Sequence, residues 1–189
     1  GVDILISNAG TAIGGSIAQS WIEPLIKYSL VTLGGAHLIV LFDVSTRIAS
    51  TIRTLIVFLN TPLITIWSKK YSPAVFKEEL ITNILLATIL NIIYISVSSI
   101  LFLVFFGVQE QNILFTSIIV CTYFLITIQN LPNISNISFS KLNINFYATL
   151  IVLISVGLGY FCVSNPEYYI WSYLIGSILS TIYLFFMRK

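Results

Sequence analysis

Long apolar runs separated by short polar segments dominate the chain. Six of them predict membrane-spanning helices, at about residues 4–33, 38–67, 80–106, 112–131, 146–163 and 168–187. A helix needs roughly 20 apolar residues to cross about 30 Å of hydrocarbon, so these runs approach or exceed one crossing and are too long for the strands of a membrane barrel. The pattern predicts an all-α, polytopic helical membrane protein, with residues 1–189 as a single transmembrane unit.

The second run, residues 38–67, is unusual because it carries three charged side chains. On a helical wheel that starts at Asp43, one half holds Thr46, Arg47, Ser50, Arg53, Thr54, Asn60 and Thr61, and the other holds Val44, Ile48, Ile52, Leu55, Ile56, Leu59 and Leu63. A charge at membrane depth costs from about 2.5 to more than 10 kcal/mol, so such groups normally face a bundle interior or a cavity. We expect the polar half to face water, a partner or a ligand.

The first run combines small residues with a polar stripe. Gly10, Gly14 and Ala18 follow the small-xxx-small spacing that lets membrane helices approach closely. The stripe recurs at steps of three and four and consists of Ser16, Gln19, Ser20, Glu23 and Lys27. Pro24 should bend this helix, and Gly34-Gly35 should end it. The first two runs therefore predict a helical hairpin.

Counting residues from the glycine turn predicts which charges of the hairpin meet. Lys27 and Asp43 are each eight residues from Gly35, and Glu23 and Arg47 are each twelve residues from it. At about 1.5 Å per residue, the two levels lie roughly 12 and 18 Å from the turn. We expect each level to hold one ion pair, which leaves a single arginine unpaired and the charged cluster with a net charge of +1.

The unpaired residue is Arg53, whose planar guanidinium suits bidentate contact with phosphate or carboxylate. The predicted substrate-binding cavity consists of Arg53, Arg47, Asp43, Lys27, Glu23, Gln19, Ser20, Ser50, Thr54 and Asn60. A competing interpretation is that the paired charges only hold two helices together. The additional arginine and the flanking hydroxyl and amide groups favour an anionic ligand over this alternative.

The polar segments predict the orientation in the membrane. One side of the predicted bundle receives six of the nine basic residues, namely Lys69, Lys70, Lys77, Lys141, Arg188 and Lys189. By the positive-inside rule, both ends of the chain are then cytoplasmic. The segment from Trp67 to Leu80 and the segment from Pro132 to Asn145 are predicted as loops on that side.

Composition narrows the possible classes of function. The chain is 57% hydrophobic and 8% charged, with a mean hydropathy of +0.98, which excludes a soluble domain. Its net charge of +2 comes from dispersed residues, so nucleic acid is not a predicted partner. Cys121 and Cys162 are interpreted as buried thiols, and His37 as a solvated turn residue. No metal, cofactor or catalytic motif is present, so we do not expect an enzyme.

Three segments follow one another around the glycine turn, namely Leu33-Gly34-Gly35-Ala36, then Phe42-Asp43-Val44-Ser45-Thr46-Arg47-Ile48-Ala49, then Leu59-Asn60-Thr61-Pro62-Leu63 before a basic segment. This order resembles Wzx-type polysaccharide flippases of the multidrug/oligosaccharidyl-lipid/polysaccharide (MOP) exporter superfamily. Similar sequence motifs mark the second helix of the C-terminal lobe in that family. The order of residues between Asp43 and Ala49 differs from the family motif here. The resemblance implies six helices that form one lobe of a two-lobe transporter. The chain begins at Gly1 without a recognisable signal peptide, so we expect a fragment or a processed chain, and the resemblance implies that an N-terminal lobe of the same chain is missing.

The resemblance also implies a function. The substrate would be an undecaprenyl-diphosphate-linked oligosaccharide, as in O-antigen and lipopolysaccharide biosynthesis. It would move from the cytoplasmic to the outer leaflet of the inner membrane by alternating access, with Glu23 and Asp43 as candidates for ion coupling. The alternatives are a multidrug exporter of cations from the same superfamily, a structural or proton-conducting subunit of a membrane complex, and a membrane-bound transferase.

Overall fold

A computed structural model of the protein describes residues 2–69, 72–105, 110–139 and 141–187, and gives only the backbone for residues 2–10, 97–105 and 110–112. The described helices are α1 (Val2–Thr32), α2 (Ala36–Lys69), α3 (Pro73–Phe105), α4 (Glu110–Ile128), α5 (Asn130–Ser138), α6 (Leu142–Cys162) and α7 (Pro166–Phe186). These ranges contain no strand and are 93% helical, so the predicted all-α fold is confirmed.

Within the described residues, five helical units are long and apolar enough to cross a membrane. They are α2, the first part of α3, α4 together with α5, α6 and α7. The 31 residues of α1 also exceed one crossing in length, but its described part is not among these five units. The protein is therefore a multi-pass helical membrane protein. Its orientation stays a prediction, and Lys70, Arg188 and Lys189, on which it partly rests, lie outside the described residues.

The predicted polar loop between Trp67 and Leu80 is largely wrong. Helix α2 continues to Lys69, and α3 begins at Pro73, so Lys77 lies within a helix. Lysine and glutamate are good helix formers, and proline is favoured at the first helical position. The charged residues therefore extend α3 beyond the apolar core of the membrane.

The predicted loop from Pro132 to Asn145 is also wrong, because α5 runs to Ser138 and α6 begins at Leu142. Pro132 lacks the N–H group that would bond to the carbonyl of Ile128, which accounts for the break between α4 and α5. The helical path resumes at once, since the backbone N–H of Asn133 donates to the carbonyl of Gln129 at 3.0 Å.

Helix packing separates α1 from α2. Helix α1 packs mainly on α6 and α6 on α7, whereas α2 packs mainly on α4 and α5. The predicted close approach of α1 is confirmed at Gly14, where an added Cβ atom would lie 3.0 Å from Cε2 of Phe146 in α6. Gly10 lies outside the residues with described side chains. Because α1 and α2 rest on different neighbours, they contact each other little.

The end of the bundle that carries the turns at residues 33–35 and 163–165 is tightly packed, and we call it the turn end. Gly34 has a φ of +85°, a left-handed conformation that favours glycine. Gly35 lies against Pro166, and Gly159 of α6 lies against Ser172 of α7, both without room for a Cβ atom. The contact of Gly35 with Pro166 brings the α1–α2 and α6–α7 hairpins together, and the contact of Gly159 with Ser172 holds α6 against α7.

Both cysteines are free thiols, but Cys121 and Cys162 are exposed on the outside of the bundle. The predicted burial is therefore wrong. Apolar runs in a membrane protein contact lipid as well as other helices, so a position inside such a run does not determine which of the two a side chain faces.

Candidate functional site

A cavity of about 390 Å³ lies between α1, α2, α6, α7 and the α4–α5 unit. Its polar lining consists of Thr11, Ser16, Gln19, Glu23, Arg53, Tyr123, Gln129, Asn130, Asn133, Asn145, Thr149, Tyr173 and Ser180. Counted along the helices, it extends from the middle of the bundle away from the turn end. Its volume falls within the range of roughly 300–1,000 Å³ that is typical of small-molecule pockets.

The hairpin level nearer the turn forms the predicted ion pair. Nζ of Lys27 lies 2.7 Å from Oδ1 of Asp43, with both side chains a little more than one third exposed. Neither residue lines the cavity. This pair holds α1 to α2 and is separate from the candidate site.

The deeper predicted pair does not form, because Glu23 and Arg47 have no ion-pair contact within 4.0 Å. The two helices rest on different neighbours and contact each other little, so equal counts from the turn do not bring these side chains together. Arg47 is exposed on the surface of α2. Oε1 of Glu23 instead accepts a hydrogen bond of 2.9 Å from the hydroxyl of Tyr123 in α4.

Arg53 differs from Arg47 because it lies on another side of the same helix. Six residues at 3.6 residues per turn separate the two by about 120° around the axis. Arg53 is half-buried and lines the cavity. It has no ion pair or hydrogen bond to any side chain that the structure describes.

Three of the ten predicted cavity residues line the described cavity, namely Arg53, Glu23 and Gln19. The other seven (Arg47, Asp43, Lys27, Ser20, Ser50, Thr54 and Asn60) do not. The hydroxyls of Ser50 and Thr54 donate to carbonyls of their own helix. Since the described lining contains one cation and one carboxylate, the cavity is close to neutral, and the predicted net charge of +1 is not found there.

Asn60 has a supporting position behind the cavity wall. Its Nδ2 atom donates to Oδ1 of Asn83 in α3 and to Oδ1 of Asn130 in α5, each at 2.9 Å. Asn60 is itself buried. These hydrogen bonds between amides fix α5 against α2 and α3, as polar residues commonly do between membrane helices.

The amide groups around the α4–α5 break also line or support the cavity, and none of them was among the predicted site residues. Nε2 of Gln129 donates to the carbonyl of Ser177 at 3.0 Å and to Oγ1 of Thr181 at 2.8 Å, which ties the break to α7. Gln129, Asn133 and Asn136 follow at steps of four and three, a helical spacing that could have revealed one amide face.

Comparisons with protein-family models, with curated proteins and with solved structures find no match for this chain. The resemblance to polysaccharide flippases therefore stays a prediction that rests on the three segments quoted above.

Proposed function

We propose that this protein transports an anionic, lipid-linked oligosaccharide from the cytoplasmic to the outer leaflet of a cell's inner membrane, with the polyprenyl diphosphate near Arg53. The observation that supports this proposal is a half-buried arginine without an ion pair in the described structure, lining a cavity among amide and hydroxyl side chains. Membrane-spanning helices around a polar cavity are compatible with a transporter.

The energetics of Arg53 favour an anionic group as its partner. An unpaired guanidinium at membrane depth costs several kcal/mol, which a phosphate oxygen pair would offset in bidentate fashion. The nearby carboxylate of Glu23 already accepts a hydrogen bond from Tyr123. The remaining lining supplies neutral donors and acceptors, which suit the sugar part of the same substrate.

The outer face of α2 supports a second lobe as partner. On this face, the hydroxyls of Thr51, Thr54 and Thr61 donate to backbone carbonyls of α2 at 2.8–2.9 Å. Because these hydroxyls already have a hydrogen-bond acceptor, they can face lipid. Arg47 on the same face is exposed and has no such partner among the described side chains. A charge there requires water or protein, which a facing lobe and the cleft between the lobes would provide.

A multidrug exporter of cations is the second candidate, because Glu23 and the rings of Tyr123 and Tyr173 also line the cavity. A carboxylate with aromatic side chains attracts organic cations. The two candidates differ in the charge that they require at residue 53. Loss of Arg53 should weaken the transport of an anion and should leave the transport of a cation intact or improve it.

The test compares cells that lack the protein with cells that express wild type, Arg53→Ala or Arg53→Lys. We expect the deletion and Arg53→Ala to accumulate lipid-linked oligosaccharide on the cytoplasmic leaflet, and Arg53→Lys to restore transport in part, because it keeps the charge without the bidentate fork. Quantitative immunoblotting of membranes checks that abundance is unchanged. An equal loss of abundance would instead assign Arg53 to helix packing, and export of cationic dyes by Arg53→Ala would favour the second candidate.

A further inference from the structure

The carboxylate of Glu23 and the guanidinium of Arg53 line the same cavity, and the described structure shows no ion pair between them. Opposite charges attract each other more strongly in such a partly buried space than in bulk water. The direction of the side chains also favours a contact, because the Cα–Cβ bonds of a helix tilt toward its N-terminus. In the α1–α2 hairpin, Glu23 therefore leans away from the turn at residues 33–35, and Arg53, six residues farther from that turn, leans toward it. The separation of the two charges requires a cause.

The hydroxyl of Tyr123 in α4 is that cause, since it donates to Oε1 of Glu23 at 2.9 Å. Tyr123 is only 3% exposed and belongs to the largest buried apolar cluster, so its hydroxyl has a fixed position. Glu23 is exposed, and its flexible side chain can move. A hydrogen bond to an ionised carboxylate is roughly twice as strong as one between neutral groups. The buried tyrosine therefore holds the carboxylate on the α4 side of the cavity.

Without this hydroxyl, Arg53 would be the strongest partner within reach of Glu23. The described cavity lining contains no other basic side chain, and Lys27, one turn along α1, is already paired with Asp43 at 2.7 Å. A carboxylate that pairs with Arg53 would occupy the guanidinium fork that a phosphate also uses. The position of Glu23 thus determines how much of Arg53 is free to bind an anion.

We propose that Tyr123 is a positioning residue, which holds Glu23 away from Arg53 and keeps the guanidinium available to the anionic group of the substrate. This proposal rests on the proposed function and deepens it, since it identifies what controls the affinity of the anion site. Tyr123 acts through the charge of Glu23, so its contribution to anion binding should vanish when that charge is removed.

The first test measures the binding of inorganic pyrophosphate to the full-length protein in lipid nanodiscs by titration calorimetry. We expect Tyr123→Phe to weaken binding about three- to fivefold, because an internal ion pair reduces the fraction of Arg53 that is free. Glu23→Gln should bind at least as tightly as wild type. Adding Tyr123→Phe to Glu23→Gln should change the affinity no further, which a double-mutant cycle measures.

The second test needs no ligand. Phenylglyoxal modifies arginine side chains, and it reacts more slowly with a guanidinium that is paired with a carboxylate. Peptide mass spectrometry follows the modification of Arg53, with the exposed Arg47 as the internal reference. We expect Tyr123→Phe to slow the reaction at Arg53 about three- to fivefold, because only the unpaired fraction reacts. Adding Glu23→Gln should restore the wild-type rate.

The matched control is Tyr169→Phe, which removes another buried hydroxyl, one that donates to the backbone carbonyl of Val156 at the turn end at 3.1 Å. It should change neither the affinity for pyrophosphate nor the rate at Arg53. If Glu23→Gln did not rescue the loss of affinity in Tyr123→Phe, Tyr123 would contact the anion itself or maintain the fold, and the positioning role would be overturned. An unchanged rate at Arg53 in Tyr123→Phe would overturn it as well.

The two tests separate this proposal from the proposed function. Slower modification of Arg53 in Tyr123→Phe, rescued by Glu23→Gln, would support the restraint on Glu23 even if wild type failed to bind pyrophosphate, and that failure would overturn the anion site. Pyrophosphate binding that Arg53→Gln abolishes and Tyr123→Phe leaves unchanged would support the anion site and overturn the positioning role.

Discussion

Helices α1 and α2 contribute charged side chains both to the turn end and to the cavity. The charges are paired at the turn end and separated in the cavity. At the turn end, Leu30 and Phe42 are fully buried, and Lys27 is neutralised by Asp43 at 2.7 Å. Toward the cavity, Glu23 and Arg53 line the same space, and the described structure gives Arg53 no ion pair.

Helix packing accounts for this difference. The two hairpins interlock at the turn end, where Gly35 lies against Pro166, and charges of α1 and α2 meet there. Farther along, α1 rests on α6 and α2 rests on α4 and α5, so the space between them opens into the cavity. An ion pair therefore stabilises the turn end. The charges that line the cavity stay apart and remain available to a ligand.

The largest effect should come from Gly159→Leu, which fills the tightest contact of the turn end. A side chain at this position would overlap with Ser172 and force α6 and α7 apart. We expect a loss of stability of about 3 kcal/mol and little folded protein in the membrane. Gly157→Leu is the matched control on the same helix, because no atom lies within 4 Å of its added Cβ atom. Equal thermal unfolding of the two variants would contradict tight packing here.

The ion pair should give the next largest effect. Asp43→Leu leaves Lys27 without its partner, and we expect a loss of roughly 2–3 kcal/mol, between the values for exposed and buried pairs. Adding Lys27→Met should recover most of this loss. A double-mutant cycle on thermal unfolding in nanodiscs measures the coupling, and additive losses would show that the two charges do not stabilise each other.

A smaller effect is expected for Tyr123→Phe, which removes the hydroxyl that donates to Glu23. A hydrogen bond to a charged group is worth about 1.5–3 kcal/mol, and we expect the lower value because the cavity admits water. Tyr169→Phe removes a bond to the backbone carbonyl of Val156 at the turn end and should cost about 1 kcal/mol. A loss for Tyr123→Phe below that for Tyr169→Phe would argue against a stabilising role for the hydrogen bond between Tyr123 and Glu23.

The smallest effect should come from Thr54→Val, at a position that the sequence analysis placed in the cavity. Its hydroxyl donates to the carbonyl of Ser50 and the residue is exposed outside the cavity. We expect a change in stability within about 0.5 kcal/mol and unchanged transport. Gln19→Leu, in the cavity lining, is the comparison and should reduce transport. A larger loss of transport for Thr54→Val than for Gln19→Leu would instead place Thr54 in the site.

Hydrophobic run length predicted the helical fold well, because the bilayer imposes a minimum length on each crossing. The loop from Pro132 to Asn145 was mispredicted because asparagine and proline are typical of turns in isolated sequence. In the folded chain, Asn136 is buried and bonded to Asn145, so tertiary packing overrides the local preference. The amide wall of the cavity was missed for the same reason.

The pairing of charges in the α1–α2 hairpin was predictable only close to the turn. Counting from the glycine turn identified the Lys27–Asp43 pair, but counting alone does not reveal that α1 and α2 rest on different neighbours. The helical wheel placed Arg47 and Arg53 on one polar half, although a half-wheel includes residues about 120° apart. The packing partners of α2 decide which of the two arginines enters the cavity.

The central claim is that Arg53 binds an anionic substrate while the charges of the turn end are structural. Its most direct test is the equilibrium binding of a polyprenyl-diphosphate-linked sugar to the full-length protein in nanodiscs, with wild type, Arg53→Gln and the double variant Lys27→Gln/Asp43→Asn. We predict a loss of affinity of about tenfold or more for Arg53→Gln and little change for the double variant. Wild-type affinity in Arg53→Gln, or an equal loss in the double variant, would contradict the claim.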